Sequence, residues 1–301
     1  MLHKSYLSIV AVIFFLFLNN SALSQTSVHG FQLKKGELTV ATSYTYKHFD
    51  KFYRGETLTN GNPAGLGEIT SSIYSLYASY GILDWLSTTI TLPYISVESE
   101  AGALDPVTND DTESSLQDLA VYIKARALAN TFTNKATLNI SGALGVSVPV
   151  GGYNGGGVLS VGNEATAIDG IAIAQYTLPS NLFIETLFGY SYRTSSDFDI
   201  PNAYYYSFKL GYFCSWFYAD TKVSVQNSTS GLQIGSPEFG AAGGPAALPE
   251  TEVDYTNISF TLYVPIYKQA LGVSGSYGVN ATGRNFNKES FYSIGLVYNL
   301  R

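Results

Sequence analysis

ITSSIYSLYASYGILDWLSTTITLPYISV, residues 69–97, decides the fold. From Ile69 to Ile82 the side chains split by parity. Tyr74, Leu76, Ala78, Tyr80 and Ile82 share one face, and Ser71, Ile73, Ser75, Tyr77 and Ser79 share the other. A period of two is a strand, because successive side chains point to opposite faces. This strand is about 14 residues long, where an ordinary one has about 5–6. After a tight turn at Leu83–Trp85, Leu86–Val97 runs back with Ile90, Leu92 and Tyr94 on one face and Ser87, Thr89 and Thr91 on the other. One side of the hairpin is apolar and the other small and polar, which is the repeating unit of a membrane β-barrel.

The same alternation extends in both directions. About twelve strands are expected, near 37–48, 69–82, 86–98, 115–129, 135–149, 164–177, 181–193, 202–213, 216–227, 252–264, 269–281 and 289–300. Their connections alternate between long, Gly/Asn/Asp/Ser/Pro-rich loops and brief turns. Outer-membrane barrels show this rhythm, with the long loops outside and the turns on the periplasmic side. An even strand count returns both ends to the periplasm. A secreted sandwich or propeller is the competing architecture, but it has shorter strands, and no repeat of fixed period is present. The fold class is therefore all-β: a transmembrane antiparallel β-barrel of about 12 strands.

The chain opens with His3–Lys4, an apolar run Leu7–Leu18 and Ala22-Leu23-Ser24, the pattern of a secretory signal peptide over 1–24. The run is too short for the roughly 20 residues of a spanning helix. Residues 25–36 read as a short, polar periplasmic lead without structure, and 37–301 as the barrel. The composition agrees: 24 Tyr, 17 Phe and 29 Gly, with 13% charged residues. A net charge of −7 argues against nucleic acid, whose phosphates call for clustered Lys and Arg. The expected partners are outer-membrane lipid and lipopolysaccharide, the barrel-assembly machinery and an unidentified small solute. The expected location is the bacterial outer membrane.

One parity carries apolar residues that would face lipid: Leu119, Val121, Ile123, Ala125 and Ala127; Leu138, Ile140, Leu144, Val146 and Val148; Ile258, Phe260, Leu262 and Val264; Tyr292, Ile294, Leu296, Tyr298 and Leu300. Tyr44, Tyr46, Tyr204 and Tyr206 suit the interfacial girdles. The opposite parity holds the charges. Asp118, Tyr122, Lys124, Arg126, Glu185, Arg193, Lys209, Asp220 and Lys222 are the candidates for the lumen, since a charge facing lipid near the midplane costs about 2–4 kcal/mol. If Cys214–Ser215 is a two-residue turn, Lys209 stands opposite Asp220, and the two charges stabilise each other. Pairing among themselves and contact with solute are equally compatible with this pattern.

Tyr80-Gly81-Ile82-Leu83-Asp84-Trp85-Leu86, Leu92-Pro93-Tyr94, Leu116-Gln117-Asp118-Leu119 and Lys124-Ala125-Arg126 resemble the outer-membrane family named for the meta-pathway of phenol degradation. The resemblance covers residues 69–128. It departs at Ser115-Leu116-Gln117, where the family usually has Gly-x-Gly. The chain ends Asn299-Leu300-Arg301, whereas barrel proteins commonly end in an aromatic residue. It implies an outer-membrane barrel that transports small, often aromatic or hydrophobic molecules.

Other clusters carry less. Glu98, Glu100, Asp105, Asp110, Asp111 and Glu113 could attract divalent cations, but their spacing fits no calcium loop, and a solvated loop is expected. Gly151–Gly157 lacks the Lys-Ser/Thr of a phosphate cradle and reads as a flexible loop. Cys214 is alone, so no intramolecular disulfide is expected. His29 and His48 are the only candidate bases beyond the leader. His29 is placed in the lead and His48 at the outer rim, and there is no G-x-S-x-G. A hydrolase is therefore the least favoured reading, behind a closed surface-binding barrel. No cofactor, metal or catalytic residue is expected.

Overall fold

The structure is a computed structural model that describes residues 28–99 and 102–300. The leader, residues 25–27, Glu100, Ala101 and Arg301 lie outside the described residues. Strand β1 (Leu38–Phe49) leads to a small hairpin of β2 (Lys51–Arg54) and β3 (Thr57–Asn60). Then come β4 (Ile69–Leu83), β5 (Leu86–Ser99), β6 (Thr112–Leu116), β7 (Asp118–Thr131), β8 (Thr137–Pro149) and β9 (Thr166–Thr177). The series continues with β10 (Leu182–Thr194), β11 (Ala203–Phe213) and β12 (Tyr218–Ser228). Helix α1 (Pro237–Ala241) and a 3-10 turn (Gly244–Glu250) precede β13 (Asp254–Tyr267), β14 (Leu271–Arg284) and β15 (Ser290–Leu300).

Every wall strand pairs antiparallel with its sequence neighbour, and β1 pairs with both β4 and β15, so the sheet closes on itself. Strands β6 and β7 form one wall strand interrupted at Gln117, which gives a closed barrel of 12 strands. The interruption has a local cause. Pro93 on β5 has no N–H to donate, so the ladder slips by one residue between Thr91↔Ala120 and Tyr94↔Leu116. The Pro93 carbonyl still accepts from the Gln117 N–H at 2.9 Å. Closure leaves no unpaired strand edge, which a β structure in lipid requires.

The expected twelve strands match the wall strands to within a few residues. The two longest loops carry structure that alternation does not reveal. The first holds the β2–β3 hairpin and the second holds α1. Together they cover the outer end, where Phe52 from the first loop packs on Ile234 and Phe239 from the second. Asn285 ties these loops: its Oδ1 accepts from Gly55 and Ile234 N–H, and its Nδ2 donates to the Glu252 carbonyl. Two further loops differ from expectation in being packed. Asp105 is fully buried, and its carboxylate accepts from the N–H groups of Val107, Val158 and Leu159. That fastens the acidic loop to the glycine-rich one.

The facing Ile123 and Leu144 are exposed on the outer surface, with Val121, Ile140, Val146, Ile258, Phe260, Ile294 and Leu296. Tyr122, Lys124, Ser141, Ala143, Ile171 and Glu185 are buried on the inside.

One register differs from the sequence reading. The Cys214 N–H donates to the Phe217 carbonyl, so the turn residues are Ser215–Trp216, one position later than expected. Sliding the turn by one moves the pairing by two and preserves parity. Lys209 therefore faces Lys222, Asp220 faces Gly211, and the expected Lys209–Asp220 pair does not form.

Candidate functional site

Residues 28–33 were expected in the periplasm as an unstructured lead, but they run inside the barrel. The chain is anchored at the periplasmic turn between β4 and β5. The Gly36 N–H donates to the Gly81 carbonyl, the Gly81 N–H to the Glu37 carbonyl, and the Lys35 N–H to Asp84 Oδ1. From there, followed towards the N-terminus, the segment rises into the lumen. Lys124 Nζ donates to the carbonyls of His29 at 2.7 Å and Phe31 at 2.5 Å. The Gly30 N–H donates to Glu185 Oε2 at 2.8 Å. Backbone groups left without secondary structure thus find buried side-chain partners, as they must. Phe31 packs edge-on to Phe183, Phe213 and Tyr218. Val28 reaches the middle of the barrel among Ala120, Tyr122, Ala143, Ile171, Ile173 and Leu187. A Cβ on Gly30 would collide with the side chain of Gln175, so only glycine fits there.

The nine lumen candidates separate into three levels. Arg126 lies lowest, with Nη2 donating to the Asp84 carbonyl at the periplasmic turn. Lys124, Glu185, Lys209, Asp220 and Lys222 form a ring around the inserted segment. Glu185 Oε1 is 3.1 Å from Lys209 Nζ, which stands directly across the strand pair. Asp220 accepts from the Tyr218 hydroxyl at 2.6 Å and shares a face with Lys222 two residues on. The facing pair Lys209 and Lys222 is thus flanked by one carboxylate on each neighbouring position. Tyr122, Asp118 and Arg193 stand higher.

Above the inserted segment lies a cavity of about 500 Å³. Tyr122 and Ile171 make its floor beside Val28, and Leu248, Pro249 and Val253 of the last long loop make its roof. Its wall mixes charge with aromatic surface: Asp118, Asp169, Arg193, Tyr205, Tyr255 and Phe286. Asp169 accepts from the Tyr122 hydroxyl at 2.7 Å, and Asp118 from the Tyr153 hydroxyl at 2.5 Å. Burial, and then the Asp118 carboxylate it bonds, push the Tyr153 phenol above its usual range. Arg193 donates from Nη2 to Gln226 Oε1 at 3.1 Å and from Nε to Ser191 Oγ at 3.4 Å.

Asp169 was missed in the sequence reading, although the rule that selected Lys124 selects it too: it is the one charge in β9. His29 and Phe31 gave no signal, because they act through backbone carbonyls and packing with residues more than 90 positions away.

At the outer rim His48 sits between two partners. Its Nδ1 is 2.8 Å from Glu68 Oε1, and its Nε2 is 2.8 Å from Ser290 Oγ. The imidazole stacks on Tyr46 and Tyr292 of the lipid-facing girdle. Among the described residues no group of three or more His, Cys, Asp or Glu could hold a metal ion.

The comparisons with known proteins follow the fold. An outer membrane channel from Pseudomonas putida F1 superposes with a TM-score of 0.70 at 16% identity, over 93% of this chain and 100% of that one. The NanC porin gives 0.46 at 10% identity, over 87% and 100%. The translocator domain of the autotransporter NalP from Neisseria meningitidis gives 0.43 at 9%, over 88% and 89%. No curated protein sequence matches significantly. The family model described as MetA-pathway of phenol degradation matches residues 69–296, from the deciding hairpin to the last strand. With the barrel closed and that span matched, the chain belongs to this phenol-degradation family of outer-membrane barrels.

Proposed function

We propose that this barrel is a passive outer-membrane channel for small solutes, closed at rest by its own residues 28–33. The observation that carries the reading is the double clamp on that segment, with Lys124 on two of its carbonyls and Glu185 on one of its N–H groups. Phe31 and Val28 add apolar packing to that clamp, so the segment fills the lumen at rest. A 12-stranded barrel falls between the roughly 8-stranded filled barrels and the 16-stranded open porins, so a removable segment decides whether it conducts. The superposed outer membrane channel from Pseudomonas putida F1 is consistent with this reading. The exposed apolar band would lie in the outer membrane against lipid and lipopolysaccharide. The chain would reach it through the barrel-assembly machinery after loss of the leader.

The test is planar-bilayer conductance of the full chain and of a variant lacking residues 28–33. A several-fold larger and steadier conductance in the deletion supports the channel. Silence in both, with barrels confirmed by heat-modifiable migration, leaves a closed, surface-binding barrel.

A second reading rests on one observation, the Glu68–His48–Ser290 chain, whose order and distances match nucleophile, base and orienting acid. Ser290 stands in the sheet ladder between His48 and Val279, so its own amide is committed there and no oxyanion site forms from it. A fluorophosphonate probe separates the readings. Labelling of the native chain that disappears in Ser290→Ala would establish an esterase. Absence of labelling leaves the channel alone.

A further inference from the structure

We propose that the outer cavity binds a small aromatic monocarboxylate and that Arg193 is its carboxylate anchor. The proposal deepens the channel reading and rests on it for the solute's route.

Among the described residues Arg193 is a cation held in place without a direct ion pair, with Asp169 the nearest negative charge to it. Gln226 and Ser191 each take one of its donors, and its backbone N–H is fixed by Asn202 Oδ1 at 2.8 Å. A guanidinium has five N–H donors, so about three remain for the cavity it lines. Among the described residues no carboxylate lies within 4.0 Å of it. Asp169 is only a diagonal step away, since Ser191 faces Asp169 and Arg193 faces Ala167. Yet Asp169 is turned to the Tyr122 hydroxyl, and Asp118 is turned to Tyr153. The wall thus keeps an acid and a base apart, each oriented by neutral neighbours.

The chemistry of the gap selects the ligand. A free guanidinium fork matches one carboxylate in plane. Two nearby carboxylates repel a dianion such as a phosphate ester more strongly than a monoanion. The body of the ligand lies among Tyr205, Tyr255 and Phe286, the last two stacked with centroids 4.5 Å apart. Flat, unsaturated carbon packs best against such faces. About 500 Å³ accommodates one molecule of this size. The cavity is too polar for a plain hydrocarbon.

The probe is 4-hydroxybenzoate, with 4-hydroxybenzyl alcohol as the neutral analogue of equal size. Isothermal titration of the detergent-folded full chain should show the acid binding at least tenfold tighter. Arg193→Gln should bring the acid down to the level of the alcohol, and Arg193→Lys, a cation without the fork, should fall between. No binding of the acid, equal binding of both, or a preference that survives Arg193→Gln overturns the assignment. Liposome flux of the same pair through the chain lacking residues 28–33 separates the two claims. Binding without flux removes the channel and leaves the site, whereas flux without an Arg193-dependent preference removes the site and leaves the channel.

Discussion

Glu185 performs two tasks from a side chain only 1% exposed: it accepts from the Gly30 N–H and neutralises Lys209. Replacing it by Gln keeps the shape but leaves Lys209 and Lys222 facing each other with one carboxylate fewer nearby. Breaking a buried pair by removing one partner costs about 3–5 kcal/mol, because the other charge stays buried. Glu185→Gln should therefore lower the urea midpoint of the folded barrel in detergent. The double change Glu185→Gln with Lys209→Met should recover most of that loss. If the double variant is as weak as the single one, the pair is not what holds this layer together. Lys124→Met acts on the other half of the clamp. It leaves two carbonyls without their donor, and the segment should leave the lumen more often, seen as longer openings in single-channel records.

Among the elements, the wall was legible because lipid outside and water inside force an alternation with period two. The same parity argument placed Lys124, Glu185 and Lys222 on one side of their strands without any knowledge of their partners. Register was less legible. Placing the turn at Cys214–Ser215 instead of Ser215–Trp216 kept every side chain on its face but exchanged the partner of Lys209. The inserted segment was not legible at all. Val28–Leu33 has no periodicity, and nothing in its own composition shows that Lys124 or Glu185 will come to meet it. Gly30 gives that segment a specific test. Its missing side chain is what lets the backbone pass Gln175, so Gly30→Val should expel the segment while leaving the barrel wall intact. Conductance should then match that of the deletion, and heat-modifiable migration should be unchanged. A Gly30→Val channel as quiet as the native one would mean that the segment tolerates the bulk and is not held as described.

For the whole molecule, the assignment of inside and outside has energetic consequences that can be measured at a single position. Leu144 on β8 is 71% exposed and pairs across the sheet with Ile123, both on the band read as lipid-facing. Neighbouring Ala143 and Gly145 point to the lumen, where Ala143 touches the cluster around Val28 and Gly145 gives room to the Tyr122 ring. An arginine at a midplane lipid position costs about 2–4 kcal/mol, while an interfacial one costs about 0–1 kcal/mol. Leu144→Arg should therefore lower the unfolding free energy in phospholipid vesicles by the larger amount. Leu300→Arg, at the periplasmic end of β15 on the same parity, should lower it by the smaller one. In a soluble sandwich both positions would be ordinary surface sites, and neither change would depend on lipid. Equal, small effects in vesicles would thus remove the membrane band. A loss at residue 144 alone would fix both the band and its centre, and with them the sidedness of every lumen residue named above.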